Sequence, residues 1–326
     1  MSEWLQKGEL VAGVDIGGTK VQATIFNHKF EPVGESRKKM QSKKGPVPAE
    51  ARVLATIHEA LEAAGSPAIK GIGAGSPGPL DPTTGVIIDT PNIAWKNFPL
   101  ADVLSKEFGV PVAVDNDVNM GTYGEWCFGE VQNAKDVVGV FPGTGIGGGI
   151  IIGGKMLHGF SGAAGEIGHM TILPDGPYCG CGKRGCLESL ASRIAVSKEL
   201  IAIAVRGDAP YILENCGTDI TKVRSSVIAK AIEAGEKMVE NEVRRAAYFV
   251  GIAVANLINI LSPEAVVLGG GMVEAMEALY LEEVKRAIKE HAMPFLRKGV
   301  KVAPARLGDN AVVMGAARLI AERLRK

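Results

Sequence analysis

The sequence predicts a two-domain α/β fold, and three observations carry that prediction. The 326 residues exceed what a single hydrophobic core of ordinary size organises. Apolar strand-like runs alternate with helix-like periodic stretches, the pattern of a sheet layered with helices. A strand, a glycine-rich turn and a second strand open each half of the chain, which reads as an internal duplication.

The first such unit is Leu10 to Val14 ending in Asp15, then the turn IGGTK, then Val21 to Phe26. A helix is expected around Ala49 to Ala64 and a buried strand at Gly71 to Ala74. After the loop SPGPLDPTTG come a helix from Leu100 to Phe108 and a strand at Val112 to Val114 closing on Asp115. Asp115, Asn116 and Asp117 then open a helix through Met120 to Trp126. The second hairpin is Val137 to Phe141, PGTGIGGG and Ile150 to Ile152. Helices follow around Ser192 to Val205, Ser225 to Ala234 and Val239 to Leu261, where Ser262-Pro263 is a stop signal. Ala265 to Leu268 reads as a strand running into Gly269, Gly270 and Gly271. A strand near Val300 to Pro304 precedes a last amphipathic helix, Asn310 to Leu324, which Asp309 is placed to cap and which is expected to pack back on the first domain. The expected division is 1–118 with about 305–326 as one domain and 119–304 as the other.

Charge and hydropathy exclude several partner classes. The 36 basic and 36 acidic residues balance, and no basic block forms the electrostatic footprint of a nucleic-acid binder. The N-terminal MSEWLQKGEL is polar, and the longest apolar run, Phe249 to Leu261, contains Asn256 and Asn259 and is too short to span a bilayer. A soluble, cytoplasmic protein with neither nucleic-acid nor membrane partner is expected. The 42 glycines cluster, marking places where backbone must turn or approach closely.

The most informative stretch lies between GEIGHM and CGCGKRGCLE. His169, Cys179, Cys181 and Cys186 form a Cys3His set, the ligand chemistry of a closed tetrahedral zinc site. A disulfide is the competing reading, disfavoured by the absence of a secretion signal and by the scattered Cys127 and Cys216. His28, His58, His158 and His291 read as ordinary core or surface histidines. A metal here draws Glu166 and Glu188 toward an imidazole, an acceptor-rich corner suited to sugar hydroxyls.

The two glycine hairpins present backbone N–H groups and a threonine hydroxyl, the arrangement that cradles phosphate without cationic side chains. Plain tight turns are the alternative. Asp15 offers a carboxylate to a magnesium ion or its water shell, and the glycines after Leu268 offer bare backbone to an adenosine. Asp115 to Asp117 stand at a strand's carboxyl end, where open α/β sheets bind ligands. One of them as a helix cap is the bland reading; Asp117 as a general base is the sharper one, because phosphoryl transfer asks the protein mainly to align a hydroxyl and accept its proton.

Taken in order, DIGGTK, GSPGPLD, DNDVNMGTYGE, GTGIGGG, GEIGHM, CGCGKRGCLE and LGGGM resemble the motifs of the ROK-family sugar kinases from about residue 10 to 315. TPNIAWKNFPL adds a likeness to the ATP-dependent glucokinases of that group. The resemblance implies the two-domain actin-like or hexokinase-like ATPase fold with a cleft that closes on its substrates. It implies Asp117 as catalytic base and Gly78, Asn116, Asp117, Glu166, His169 and Glu188 as sugar contacts. It also implies Asp15, Gly17, Gly18, Thr19, Lys20, Gly143, Thr144 and Gly145 about the phosphates, with Gly270 near the nucleotide. The expected cofactors are ATP with Mg2+ and a structural Zn2+, and the expected assembly is a homo-oligomer, dimer or tetramer.

Two rival readings stand beside a glucose kinase. One is a kinase for fructose, mannose, allose or an N-acetylhexosamine; the other is a sugar sensor without turnover, against which the intact DND triplet and both hairpins argue. Some relatives are repressors with a helix-turn-helix domain ahead of the kinase-like part, for which the nine or so residues before the first strand are too few.

Overall fold

The computed structural model describes residues 4–40, 48–90 and 93–325, so Pro91 and Asn92 of the segment TPNIAWKNFPL lie outside the described residues. The chain forms two compact α/β units. Unit 1 holds 1–132, 156–164 and 309–326; unit 2 holds 133–155 and 165–308.

Unit 1 begins with strands β1 (Val11–Ile16), β2 (Lys20–Phe26) and β3 (Pro32–Lys39), then helix α1 (Ala49–Ala63) and β4 (Ile72–Ser76). A small antiparallel sheet follows, β5 (Leu80–Asp81), β6 (Val86–Thr90) and β7 (Trp95–Pro99). It leads into α2 (Leu100–Phe108), β8 (Val112–Asn116) and α3 (Asp117–Phe128). The main sheet has the order β3-β2-β1-β4-β8. Every residue of β1 is buried, as expected of a central strand covered on both faces. Strand β3, PVGESRKK, alternates but carries no apolar face, as suits a solvated edge.

Unit 2 opens with β9 (Val137–Pro142), β10 (Ile146–Ile152) and β11 (Lys155–Met156). Its helices are α4 (Leu187–Ala191), α5 (Arg193–Val205), α6 (Pro210–Cys216), α7 (Ser225–Glu233) and α8 (Lys237–Leu261). Strand β12 (Ala265–Leu268), α9 (Gly271–Ala275), α10 (Glu277–His291) and β13 (Lys301–Pro304) complete it. Its sheet has the order β11-β10-β9-β12-β13, the same order by rank as in unit 1. In both sheets the first two strands form an antiparallel hairpin and the fourth and fifth run parallel. The duplication seen in two glycine turns therefore extends to the whole sheet. By length and composition α8 is apolar enough to cross a bilayer, but Val239, Val243, Ala246, Val250, Val254, Leu257 and Ile258 form a stripe at helical spacing that is buried in the core of unit 2.

The last helix, α11 (Ala311–Arg323), folds back into unit 1 as expected. It lies so close to the sheet that only glycine fits beneath it. A Cβ built on Gly13 of β1 would stand 2.0 Å from the Val313 carbonyl oxygen, and one on Gly73 of β4 would stand 1.8 Å from that of Ala316. Part of the glycine richness thus serves helix-to-sheet packing instead of ligand approach. Asp309 does not cap this helix. Its carboxylate is taken by Lys20 Nζ at 2.7 Å and by an Arg37 guanidinium nitrogen at 2.6 Å.

The division differs from 1–118 with 305–326 against 119–304. Helix α3 stays in unit 1 because it packs on α11, a Cβ on Gly124 falling 2.2 Å from the Ala311 carbonyl oxygen. Residues 156–164 leave β11 to join unit 1, where Gly162 lies against the Leu80 carbonyl.

The two glycines of α3 should respond oppositely to the same change. Gly124→Ala is expected to cost about 1–3 kcal/mol or more in urea unfolding, through the overpacked contact with α11. A Cβ on Gly121 would meet only a Val312 methyl at 3.8 Å. Gly121→Ala should therefore be neutral or stabilising by up to about 1 kcal/mol, from helix propensity.

Candidate active site

In unit 1 the candidate residues gather at the carboxyl ends of three parallel strands. Pairing of β1 with β4 sets Asp15 beside Gly75, and pairing of β4 with β8 sets Gly75 beside Asp115 and Ser76 beside Asn116. The Asn116 side chain caps α3, accepting from the Val118 N–H at 2.9 Å and the Asn119 N–H at 3.2 Å. The cap is therefore Asn116, and Asp117 is the first helical residue. Its Oδ1 accepts from the Val118 N–H at 2.9 Å, where the helix dipole favours the anion. Gly75 admits this corner, since a Cβ there would stand 3.3 Å from the Asp117 Cα. Gly78 is also adjacent, a Cβ on it lying 3.7 Å from Asn116 Nδ2.

The hairpin between β1 and β2 turns through Gly17, Gly18 and Thr19, closed by the Gly17 N–H donating to the Lys20 carbonyl at 2.8 Å. Thr19 is exposed at its tip. Lys20 points its ammonium at Asp309, so a phosphate would share that charge with a carboxylate. Asp15 is 9% exposed, and burial pushes its carboxyl up from an ordinary 3.8 to about 7. The charges of Asp117 and Asp309 add to the rise, and Lys20 and Arg37 oppose it.

Asp115 stands beside Asn116 and Asp117 and has a partner that the sequence did not reveal. It is 1% exposed, and its Oδ1 accepts from the Asn116 N–H at 2.7 Å and from Asn119 Nδ2 at 3.0 Å. Its Oδ2 lies 2.7 Å from His158 Nε2. His158, read from the sequence as an ordinary core or surface histidine, is partly buried and pairs with this carboxylate. Its partner is 43 positions away, beyond any local pattern.

In unit 2 the hairpin between β9 and β10 repeats the first. The Gly143 N–H donates to the Gly145 carbonyl at 2.8 Å, and Thr144 is exposed at the tip. Arg193 at the start of α5 donates to Thr144 Oγ1 at 3.1 Å and, through its backbone N–H, to the Gly143 carbonyl at 2.8 Å. A cavity of about 480 Å³ beside this turn is lined by Thr144, Arg193, Arg224, Ser225, Gly271 and Glu274. Gly270 has φ 82° and lets the chain pass under β9, since a Cβ would stand 2.6 Å from the Pro142 carbonyl oxygen. It supports the cavity edge without lining it.

His169, Cys179, Cys181 and Cys186 converge, their ligand atoms all within 4.8 Å of one another. His169 ends a 3-10 turn, Ile167–His169, that buries Ile167 and presses Gly168 against the Ile146 carbonyl. The cysteines come from a tight hairpin in which the Cys179 N–H donates to the Lys183 carbonyl at 2.8 Å, and Cys186 leads directly into α4. Cys179 Sγ is 3.6 Å from His169 Nδ1 and Cys181 Sγ is 3.7 Å from Cys186 Sγ. Bonds of about 2.3 Å to sulfur and about 2.1 Å to nitrogen place neighbouring ligand atoms of a tetrahedral site about 3.6 to 3.8 Å apart, so the donor set fits a metal ion. No disulfide joins the five cysteines in this structure, and the Cys3His convergence favours the metal-ligand reading. Burial, with the neighbouring thiols, pushes the metal-free Cys186 thiol up to about 12; a coordinated sulfur is instead a thiolate.

Nδ1 faces the sulfur cluster, and Nε2 lies 3.9 Å from Glu166 Oε2 with both side chains solvent-accessible. Glu188 links two features. Its Oε1 lies 3.7 Å from Cys179 Sγ and its Oε2 accepts from the Ile146 N–H at 3.0 Å, so it ties the sulfur cluster to the end of the hairpin. A Cβ on Gly145 would stand 2.4 Å from that Oε2, so a larger residue there would displace the Glu188 carboxylate.

The ROK family model matches residues 11–323. The chain belongs to the ROK family. A glucokinase of Halalkalibacterium halodurans is 36% identical over 318 residues, 94% of this chain and 94% of that one. A xylose repressor of Caldicellulosiruptor bescii is 31% identical over 319 residues, 95% of this chain and 77% of the repressor. Among solved structures, a ROK glucokinase from Streptomyces griseus in complex with glucose and AMPPNP superposes with a TM-score of 0.81 at 32% identity, covering 95% of this chain and 98% of that one. The ROK fold, two-domain and hexokinase-like, agrees with the one expected from the sequence.

The raised Asp15 carboxyl has a definite sign. A folded value near 7 against an unfolded value near 3.8 means the folded state binds more protons between those limits, so burial of Asp15 costs stability as pH rises through that window. Asp15→Asn should raise the melting temperature of the ligand-free protein at pH 8 and change it little at pH 4, as scanning calorimetry across that range would read.

Proposed function

We propose that this ROK protein transfers the γ-phosphoryl group of ATP to a hexose hydroxyl, with glucose as the first substrate to test. The observation that carries the reading is Asp117 at the carboxyl end of β8, aimed by its Asn116 cap, in a chain whose glucokinase relatives match it over nearly its full length. In this reading Asp117 accepts the proton of the attacking hydroxyl as its oxygen bonds to the γ-phosphorus, and the bond from that phosphorus to the ADP oxygen breaks. Asn116, Gly78, Glu166, His169 and Glu188 are the sugar contacts. Gly17, Gly18, Thr19, Lys20, Gly143, Thr144 and Gly145 are the phosphate contacts, with Gly270 supporting the nucleotide side. Asp15 is the carboxylate offered to Mg2+ or its water shell, and a bound cation would return it to the anion.

The Cys3His set is assigned to a structural Zn2+, which His169, Cys179, Cys181 and Cys186 would hold and which would cross-link their segments without entering the reaction. With a metal held at Nδ1, His169 would keep its proton on Nε2, the nitrogen on the Glu166 side, where it could donate to a sugar hydroxyl. Oligomer formation and a cytoplasmic location belong to the same reading. The likeness to a xylose repressor favours a second one, a sugar-binding regulator without turnover. ADP release on adding sugar separates the two, and a panel of hexoses ranks the substrates.

Asp117→Asn is expected to leave sugar affinity near that of the wild type while turnover falls by orders of magnitude; unchanged turnover in a coupled ADP assay removes Asp117 from the role. Elemental analysis of protein purified without added metal should find about one zinc per chain. Cys181→Ser should lose metal and sugar binding together. Sugar binding that survives complete chelation, read by calorimetry, would end the scaffold role.

A further inference from the structure

Asp115 is the penultimate residue of β8, one position before the Asn116 cap and two before Asp117, the first residue of α3. Its side chain is 2% exposed, so its carboxylate has exchanged water for whatever donors the protein supplies. Two of those donors are local, the Asn116 N–H at 2.7 Å and Asn119 Nδ2 at 3.0 Å, and both go to Oδ1. Oδ2 is met from elsewhere, by His158 Nε2 at 2.7 Å. His158 thus reaches the Asp115 carboxylate from outside the segment 115–119.

We propose that His158 is a positioning residue that acts through Asp115: it holds the buried carboxylate in the orientation that fixes the Asn116 cap and so aims Asp117. The proposal rests on the reading of Asp117 as the base. His158 is itself anchored. Its carbonyl accepts from the Ala164 N–H at 3.0 Å, closing the segment 156–164 on itself, and Gly162 of that segment lies against Leu80 and Pro82, where a Cβ would stand 3.3 Å from the Leu80 carbonyl oxygen and 3.0 Å from Pro82 Cδ. Without the imidazole, Oδ2 is left buried and unpaired, a state that costs more than the bond was worth. The carboxylate then has reason to turn toward solvent, releasing the Asn116 N–H and the Asn119 amide. A small displacement of Asp117 follows, and an error of about 1 Å in a reacting group costs on the order of 100-fold in rate. The pairing also makes His158 a better cation. The bond to Asp115 raises its titration above the ordinary 6.5, against burial and the charge of Arg323 on α11.

The test compares full-length His158→Ala, His158→Gln and Asp117→Asn with the wild type in steady-state assays with glucose and ATP, alongside sugar binding by calorimetry. His158→Ala should lower kcat by roughly 10- to 100-fold while the sugar KM and the measured sugar affinity stay within about threefold. His158→Gln, which keeps a neutral donor of similar reach, should recover most of that loss. A kcat within twofold of wild type in His158→Ala overturns the proposal, and so does equal impairment of both variants with KM raised in step, the mark of a merely structural role. NMR titration of the His158 ring decides the pairing without reference to activity: Asp115→Asn should lower its titration point, and an unchanged titration would overturn the link. If Asp117→Asn turns over normally, the base reading falls, and the ring titration still decides separately whether Asp115 holds His158.

Discussion

Parallel pairing of β1, β4 and β8 is the constraint on which the first half of the site depends. Parallel strands end together, and their register sets Asp15, Gly75 and Asp115 side by side at one sheet edge. The same neighbourhood sets the electrostatics. Asp15 carries a carboxyl pushed up to about 7 because it is buried beside Asp117 and Asp309, while Lys20 and Arg37 offset only part of that penalty. The packing beneath is equally determined, for α11 approaches β1 and β4 to a distance that admits glycine and nothing larger. Helix, sheet and carboxylates are thus fixed by one another, and a shift of register in any of the three strands would disperse the corner.

Unit 2 solves a different problem, which is to hold polar and charged groups rigidly on turns. Loops with few apolar side chains cannot be fixed by burial alone. Here Ile167 anchors the 3-10 turn, α4 anchors Cys186, and the Cys3His donor set joins the two. Glu188 extends that order to the glycine hairpin through the Ile146 N–H. The Cys3His cluster and the second glycine turn are therefore coupled by one carboxylate, in a way that neither motif alone announces.

How much of this was legible in the sequence follows from where the information lies. The hairpins, the strand ends and the cysteine cluster were readable because their signals are local: DIGGTK, DND and CGCGKRGC place the decisive residues within a few positions of each other. The two short turns gave the duplication but not the strand order of either sheet, which depends on pairings between distant segments. What escaped depends on distance or on weak amphipathicity. Strand β3 shows polar alternation without an apolar face, so no hydrophobic period marks it. Helix α10 has a mean polarity that hides its buried Tyr280, Val284 and Ile288. Asp309 gave up a capping role to Lys20 and Arg37, which are close only after folding. His158 lies in an undistinguished HGFSG, and its partner is a carboxylate 43 positions earlier.

The central claim is that the strand-to-helix corner at Asp117 receives the acceptor hydroxyl. A crystal structure with glucose and a non-hydrolysable ATP analogue tests it most directly. The account predicts one sugar hydroxyl within about 2.6 to 3.2 Å of an Asp117 carboxylate oxygen and directed at the terminal phosphate. A well-ordered sugar whose hydroxyls all lie beyond hydrogen-bond reach of Asp117, with the analogue in place, would contradict it.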